Sequence, residues 1–408
     1  MAMESPSRPR WRTEWWPRTV ATIWGIACLV VAVEAYLKPR GHTLFDIYVN
    51  GIRAWWAGAD LYVRQPDTNE FYRYSPAFAV VTGPFALLPP GAGNAAWKLS
   101  NAAVFALGLF VWCRRGAPWQ PSADRNATVF LFALMQAGGN LYNGQANLMM
   151  TGLLLLGLTA LVRDRWWAAA GLLAAATLMK VFPLALALVF AVLFWRRFPG
   201  RYLVALAIGL VAPALAQRPD YAFGQLAEWG RHLVSSTEIN RERLRSLDKL
   251  FEVFGVPVEP VVFAALAAGA GLIVLVVGLW EAWRGSPRSV LVFRVSAWFV
   301  TWVVLFSPSS ENATFSILSP FVAWALADAW TRPRTWVSRA WLFAALYLMG
   351  MATTDAGGPF RHFFQTHCAT TFGALMFQMW LLTDLIRRRG EVLPAVVEVP
   401  PASARRAA

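Results

Sequence analysis

Long apolar runs, broken by short polar joints, dominate this chain. Val20–Val33, Leu148–Val162, Ala168–Leu178, Val261–Leu279 and Leu342–Met351 contain no charged residue. Their apolar positions do not form the stripe of an amphipathic surface helix, and runs of this kind read as transmembrane helices. They predict spans near 19–37, 95–113, 126–142, 145–162, 166–180, 182–196, 202–217, 258–282, 289–306, 313–330, 336–352 and 367–386. The fold class that follows is an all-α membrane protein: a polytopic bundle of about twelve transmembrane helices, with short helices at its outer interface. No internal repeat is evident, so the inverted-repeat plan of many transporters finds no support.

Charge sets the orientation. Basic residues gather in the joints: Arg114–Arg115, Arg163 and Arg165, Arg196–Arg197, Arg332 and Arg334, and Arg387–Arg389. Positive residues in short loops mark the cytoplasmic side. With the N-terminus inside, the joints 114–125, 163–165, 196–201, 283–288 and 331–335 and the C-terminal tail all fall inside. The loops 38–94, 143–144, 181, 218–257, 307–312 and 353–366 fall outside. The net charge of +14 is distributed over these joints. It therefore reads as a topology signal and not as a nucleic-acid surface. Composition agrees: 57% of residues are hydrophobic and 15% charged, where soluble domains carry about 25% charged residues.

The chain then divides into a cytoplasmic segment 1–18, a transmembrane domain 19–386 with long outer loops 38–94 and 218–257, and a Pro/Ala-rich tail 387–408 expected to be disordered. The first apolar run ends at Leu37-Lys38-Pro39 without a small-residue cleavage site, which favours a signal-anchor over a removed signal peptide. Arginine outnumbers lysine 33 to 4, as in GC-rich bacterial genomes, so a bacterial cytoplasmic membrane is expected. Cys28, Cys113 and Cys368 make no metal or disulfide motif, and with four histidines a His/Cys metal cage is not expected, nor any cofactor, while the sequence leaves metal dependence open.

Tyr74–Pro90 is apolar but holds Pro76, Pro84, Pro89 and Pro90. A crossing there would move Arg114–Arg115 outside, so the segment is expected to be re-entrant or peripheral on the outer side. Before it, residues 47–57 predict a short interfacial helix with Ile47, Ile52, Trp55 and Trp56 toward lipid and Gly58 as its stop. Asp46 stands at its start. Two jobs fit a carboxylate there: an N-cap of the helix, or a general base at the membrane surface.

From Asp46 onward the residues resemble a family. Asp46-Ile-Tyr48, Trp56-Ala-Gly58-Ala-Asp60-Leu-Tyr62, Tyr72-Arg73-Tyr74-Ser-Pro76, Gly83-Pro84 and Leu88-Pro89 come in this order. Gly144-Gln145-Ala-Asn147, Ala170-Gly171 leading to Lys180-Val-Phe-Pro183, and Ser307-Pro308-Ser-Ser310 follow. This looks like the polyprenol-phosphate-mannose-dependent mannosyltransferases of glycosyltransferase family 87, which have the membrane-embedded GT-C architecture. The resemblance extends over roughly residues 20–350. It implies an inverting transfer of a sugar, mannose in the family, from a polyprenyl-phosphate donor to a lipid or glycan acceptor on the outer face. It also implies that Asp46 is the base.

The leaving group would be a polyprenyl phosphate, so cations should stand near its departing charge. Lys180 is the first candidate, because an ammonium in an apolar stretch is costly without a partner or a watery cavity; otherwise it snorkels from a span end. Arg73, Arg231 and His232 are further candidates, each also readable as a solvated loop residue. Tyr62, Tyr74 and Ser307 belong to the matching motifs. Gln145 and Asn147 suit hydrogen bonds to sugar hydroxyls, or to neighbouring spans. One departure stands out. After the late Ser-Pro, family members often carry Trp and a His pair, whereas here the chain reads Ser310-Glu311-Asn312. Glu311 and Asn312 are then the candidates for that place, for a different sugar, unless activity is lost. A transporter or flippase, and a non-catalytic binding protein for a lipid-linked glycan, are the competing readings. Transporters place ionisable residues near the midplane, and here most lie at span ends.

Overall fold

The computed structural model describes residues 15–119, 121–235, 241–331 and 335–387. The N-terminal segment through residue 14, the Arg332/Arg334 joint and the tail from residue 388 lie outside the described residues. The helices in chain order are α1 (Trp15–Leu37), α2 (Phe45–Ala57), α3 (Pro76–Ala86), α4 (Pro90–Arg115), α5 (Ala123–Asn143), α6 (Asn147–Val162), α7 (Trp166–Met179), α8 (Pro183–Leu193) and α9 (Pro199–Val211). They continue with α10 (Pro219–Ser235), α11 (Leu247–Val253), α12 (Pro260–Trp283), α13 (Arg288–Phe306), α14 (Ser319–Thr331), α15 (Trp336–Gly350), α16 (Arg361–Thr366) and α17 (Ala369–Arg387). A 3-10 turn at Asn312–Leu318 runs straight into α14. Among the described residues, extended backbone pairs only as isolated bridges, Arg64 with Phe71 and Leu244 with Glu311.

Each predicted span coincides with a helix. Among the described residues, six are long and apolar enough to cross a membrane: α1, α4, α12, α13, the 312–331 segment and α17. α6 to α9 are apolar but shorter. α13 and the 312–331 segment are mostly buried and lie inside the bundle, whereas α1 and α12 are mostly exposed and lie at its rim. α3 has 11 residues, or about 16 Å of helix, well short of the roughly 30 Å hydrocarbon core. Prolines explain its shortness: Pro76 starts it, Pro84 lies in its last turn, and Pro90 already begins α4. It packs on α2, α4 and α7, which fits the expectation that Tyr74–Pro90 is not a span.

Contacts sort the helix termini into two ends. At one, Trp16 of α1 donates to Thr128 of α5, Arg288 of α13 lies over Trp166 of α7, and Arg339 of α15 bonds the Ala329 carbonyl of α14. This is the arginine end. At the other, Tyr142 of α5 donates to Glu34 of α1, Asn147 of α6 donates to Ala313, and Thr370 of α17 donates to Asn312. This is the loop-rich end, where both long loops lie. It is the segregation the charge pattern predicts.

Inside the bundle α4 and α6 touch backbone to backbone. A Cβ on Gly108 would overlap Gly152, and a Cβ on Gly152 would overlap the Val104 carbonyl. Small residues let membrane helices approach this closely. Gly152→Val should force the pair apart, lowering stability by about 1–3 kcal/mol or more, as overpacking does; an unchanged melting temperature in detergent would contradict it. Near the arginine end, Glu281 of α12 and Arg294 of α13 form a buried ion pair, extended by Asp384 of α17 at 3.8 Å. Partners this close satisfy charges that would otherwise be very costly in an apolar interior.

Candidate active site

The loop-rich end is built around α2. Thr43 Oγ1 accepts the Phe45 N–H, and Leu44 occupies the cap position. Asp46, in the first turn, therefore does not cap the helix. The capping job considered for it is already filled. Its carboxylate is half-buried and makes no hydrogen bond or salt bridge among the described residues. Burial raises its pKa above the ordinary aspartate value, Arg40 and Arg53 pull it back, and Asp67 pushes it up.

Gly58 ends α2 in the left-handed conformation as predicted. The orientation predicted for the helix needs correcting. Ile47, Ile52 and Trp55 are buried in protein, and only Trp56 is exposed. The reason is that α3 packs along α2, while Tyr221 of α10 lies against Trp55 at 5.2 Å and Gln217, just before α10, donates to the Trp55 carbonyl.

Lys98, a buried lysine of α4 that sequence reasoning did not single out, clamps the entry to α2. Its Nζ donates to the carbonyls of Tyr142, at 2.5 Å, and His42, at 3.4 Å. Leu44 N–H donates to Asn143 O, and Thr43 donates to Asn94. Asp46 is thereby carried on a segment tied to both α4 and α5. The available signal was a lone lysine at the fourth position of the predicted span 95–113, a position that demands carbonyl or carboxylate partners.

Tyr48 links α2 to the next part of the site. Its hydroxyl lies 3.2 Å from that of Tyr74 and accepts the Ala146 N–H. The Gly144-Gln145-Ala146-Asn147 stretch is thus the corner on which Tyr48 is pinned. Asn147 donates to Asn140 and to the Ala313 carbonyl, so one end of its amide joins spans, while its buried Oδ1 has no partner among the described residues. The Gln145 side chain makes no hydrogen bond among the described residues and stays available.

Arg73, Lys180 and Glu311 converge from three separate elements. Arg73 precedes the Ser75-Pro76 start of α3, where Ser75 is extended as a residue before proline should be. It lies 3.7 Å from Glu311 and 3.8 Å from Glu70. Glu311 also caps the 3-10 turn through Thr314. Lys180 stands in the turn where α7 stops and Pro183 starts α8. It feels the charges of both Glu311 and Arg73, yet its ammonium makes no hydrogen bond or salt bridge among the described residues. Arg243 reaches Glu70 from the far side. The corner thus holds three cations against two carboxylates.

Other predicted residues have structural employment. Tyr62 donates to the Tyr74 carbonyl and stacks near His232. His232 is sandwiched by Tyr62 and Phe71, and burial with the Arg73 charge lowers its pKa despite the pull of Asp60. Its ring lies between two aromatic side chains, and the lowered pKa disfavours the cationic form considered for it. Arg231 points outward and pairs with Glu228 of its own helix, so it does not join the cluster. Ser307 ends α13 and bonds Ser309, and Asn312 accepts from Thr370. Asp46 lies two residues from Tyr48, on a different face of α2, and is not in hydrogen-bond contact with the cation corner. The arrangement offers a carboxylate and a cation cluster on one end of the bundle, and the Tyr48–Tyr74 pair joins the helix that carries Asp46 to the segment that carries Arg73.

Among solved structures, ArnT from Cupriavidus metallidurans bound to undecaprenyl phosphate is similar at 16% identity, over 90% of this chain and 77% of that one, with a TM-score of 0.45. The same protein in its apo state aligns with equal identity and coverage at a TM-score of 0.39. No curated protein matches the chain. A family model does, over residues 71–308. That stretch includes Arg73, Gln145, Asn147, Lys180 and Ser307; it starts after Asp46 and stops before Glu311. It is narrower than the range over which the motifs alone suggest a resemblance. Because it spans more than half of the sequence, the chain belongs to glycosyltransferase family 87.

Proposed function

We propose that this membrane glycosyltransferase uses a polyprenyl-phosphate sugar, with mannose the first candidate, and glycosylates a lipid or glycan hydroxyl on the outer face of a bacterial cytoplasmic membrane. The observation that carries the reading is Lys180: a half-buried ammonium without a bonding partner among the described residues, held beside Arg73 at the loop-rich end. Such a cation suits a phosphate better than a neutral sugar. In the proposed step the acceptor oxygen attacks the anomeric carbon, and the bond from that carbon to the phosphate oxygen breaks with inversion. The acceptor proton passes to Asp46. Lys180 and Arg73 stabilise the charge gathering on the departing phosphate. Gln145, whose side chain makes no hydrogen bond among the described residues, binds a sugar hydroxyl.

The purified full-length protein, incubated with a panel of labelled polyprenyl-phosphate sugars and a membrane-lipid extract, should consume one donor and release polyprenyl phosphate together with a labelled product. Turnover of nucleotide sugars instead would refute the donor assignment. Donor binding without turnover would favour the non-catalytic alternative.

A further inference from the structure

A concave site lies at the arginine end, remote from Lys180 by the length of α7, or about 21 Å. It is a cavity of about 270 Å³ lined by Trp166, Phe194, Trp195, Arg196, Arg197 and Arg288. Three separate joints supply these residues: the start of α7, the α8–α9 joint and the start of α13. The charge rule for cytoplasmic loops explains why arginines lie on this side. It does not require them to converge on one cavity.

We infer that this cavity is a binding site for the headgroup of an anionic phospholipid. Guanidinium forks match the two non-bridging oxygens of a phosphodiester, and basic pockets between membrane helices on the cytoplasmic side take such headgroups. The arginines are held in place by aromatic rings. Arg288 lies over Trp166 and Phe194, Arg197 over Trp166, and Arg196 over Trp195. The nearby carboxylate is Asp164, which pairs with Arg197 at 3.4 Å and with Arg288. Arg196 forms no salt bridge among the described residues.

The surroundings favour a lipid over a soluble phosphate. Leu188, Val192 and Trp195 are exposed along α8 up to the rim of the cavity, a track on which an acyl chain can lie. Exposed Trp167 and Trp195 mark the depth of an interfacial aromatic belt. Inorganic phosphate would leave that track uncovered. The inference stands apart from the transfer reaction and does not depend on it.

Native mass spectrometry of the full-length protein, released from nanodiscs containing equal phosphatidylglycerol and phosphatidylcholine, tests it. Phosphatidylglycerol should be retained preferentially. The double variant Arg196→Gln/Arg197→Gln should weaken that retention by about tenfold or more, from the per-arginine attraction of anionic headgroups. Asp164→Asn should strengthen it, because it releases Arg197 and Arg288 from their carboxylate. Asp164 has φ +58°, a conformation that asparagine also accepts, so this variant keeps the backbone as it is and serves even if the double variant folds poorly. Equal retention of the two lipids would overturn the inference, as would a lack of response to Asp164→Asn. Displacement of the lipid by glycerol phosphate alone would reassign the site to a soluble anion and equally overturn it.

Discussion

Asp46→Asn should lower kcat by about 10²–10⁴-fold, the range a positioned general base supplies, with little change in donor KM or in melting temperature. Thr43 caps α2 and Lys98 holds its entry, so the helix does not need the Asp46 carboxylate for its start. A purely structural role predicts the reverse: lower stability with kcat intact. A pH profile separates these further. The base must be ionised to accept the acceptor proton, so kcat/KM should fall as pH drops through the Asp46 pKa. Burial raises that pKa above the ordinary aspartate value. Arg53 holds it down, and Arg53→Gln should therefore move the acid limb to higher pH. An acid limb that stays in place in Arg53→Gln would argue that another group is titrating.

Lys180→Met should cost about 10²–10³ in kcat, the scale of removing one preorganised donor to a developing negative charge. Lys180→Arg should recover part of it, since the charge is kept but a planar fork does not reproduce a compact ammonium. The competing picture is a lysine that merely snorkels from a helix end. It predicts that Met, which preserves the apolar stem, keeps full turnover. Glu311 sharpens the comparison. It neutralises part of Arg73 while capping the 3-10 turn before α14, so among the described residues Lys180 is the cation at this corner that is not committed to a protein carboxylate. Full activity in Lys180→Met would remove the observation on which the donor assignment rests.

What the sequence determined by itself was the bundle and its polarity. Apolar run length specifies helices in lipid regardless of their neighbours, because backbone groups there have no other partners. Arginine placement specifies which joints share an end. The stop at Gly58, the short proline-bounded α3 and the clustering of Lys180 with the long loops were legible for these local reasons.

Tertiary structure decided what each polar side chain does. Period and propensity could not say that α3 packs along α2 and that Tyr221 lies against Trp55, so Trp55 read as lipid-facing although it is fully buried. Arg231 and His232 are adjacent in sequence, but helical rotation sends one to solvent and the other between two rings. Arg73, Lys180 and Glu311 are separated by more than a hundred residues at each step, and only the packed helix ends bring them together. The same holds for Arg196, Arg197 and Arg288 around their cavity. Charge sorted these residues to an end of the bundle. Which of them face one another depends on helix lengths and crossing geometry, which no single segment contains.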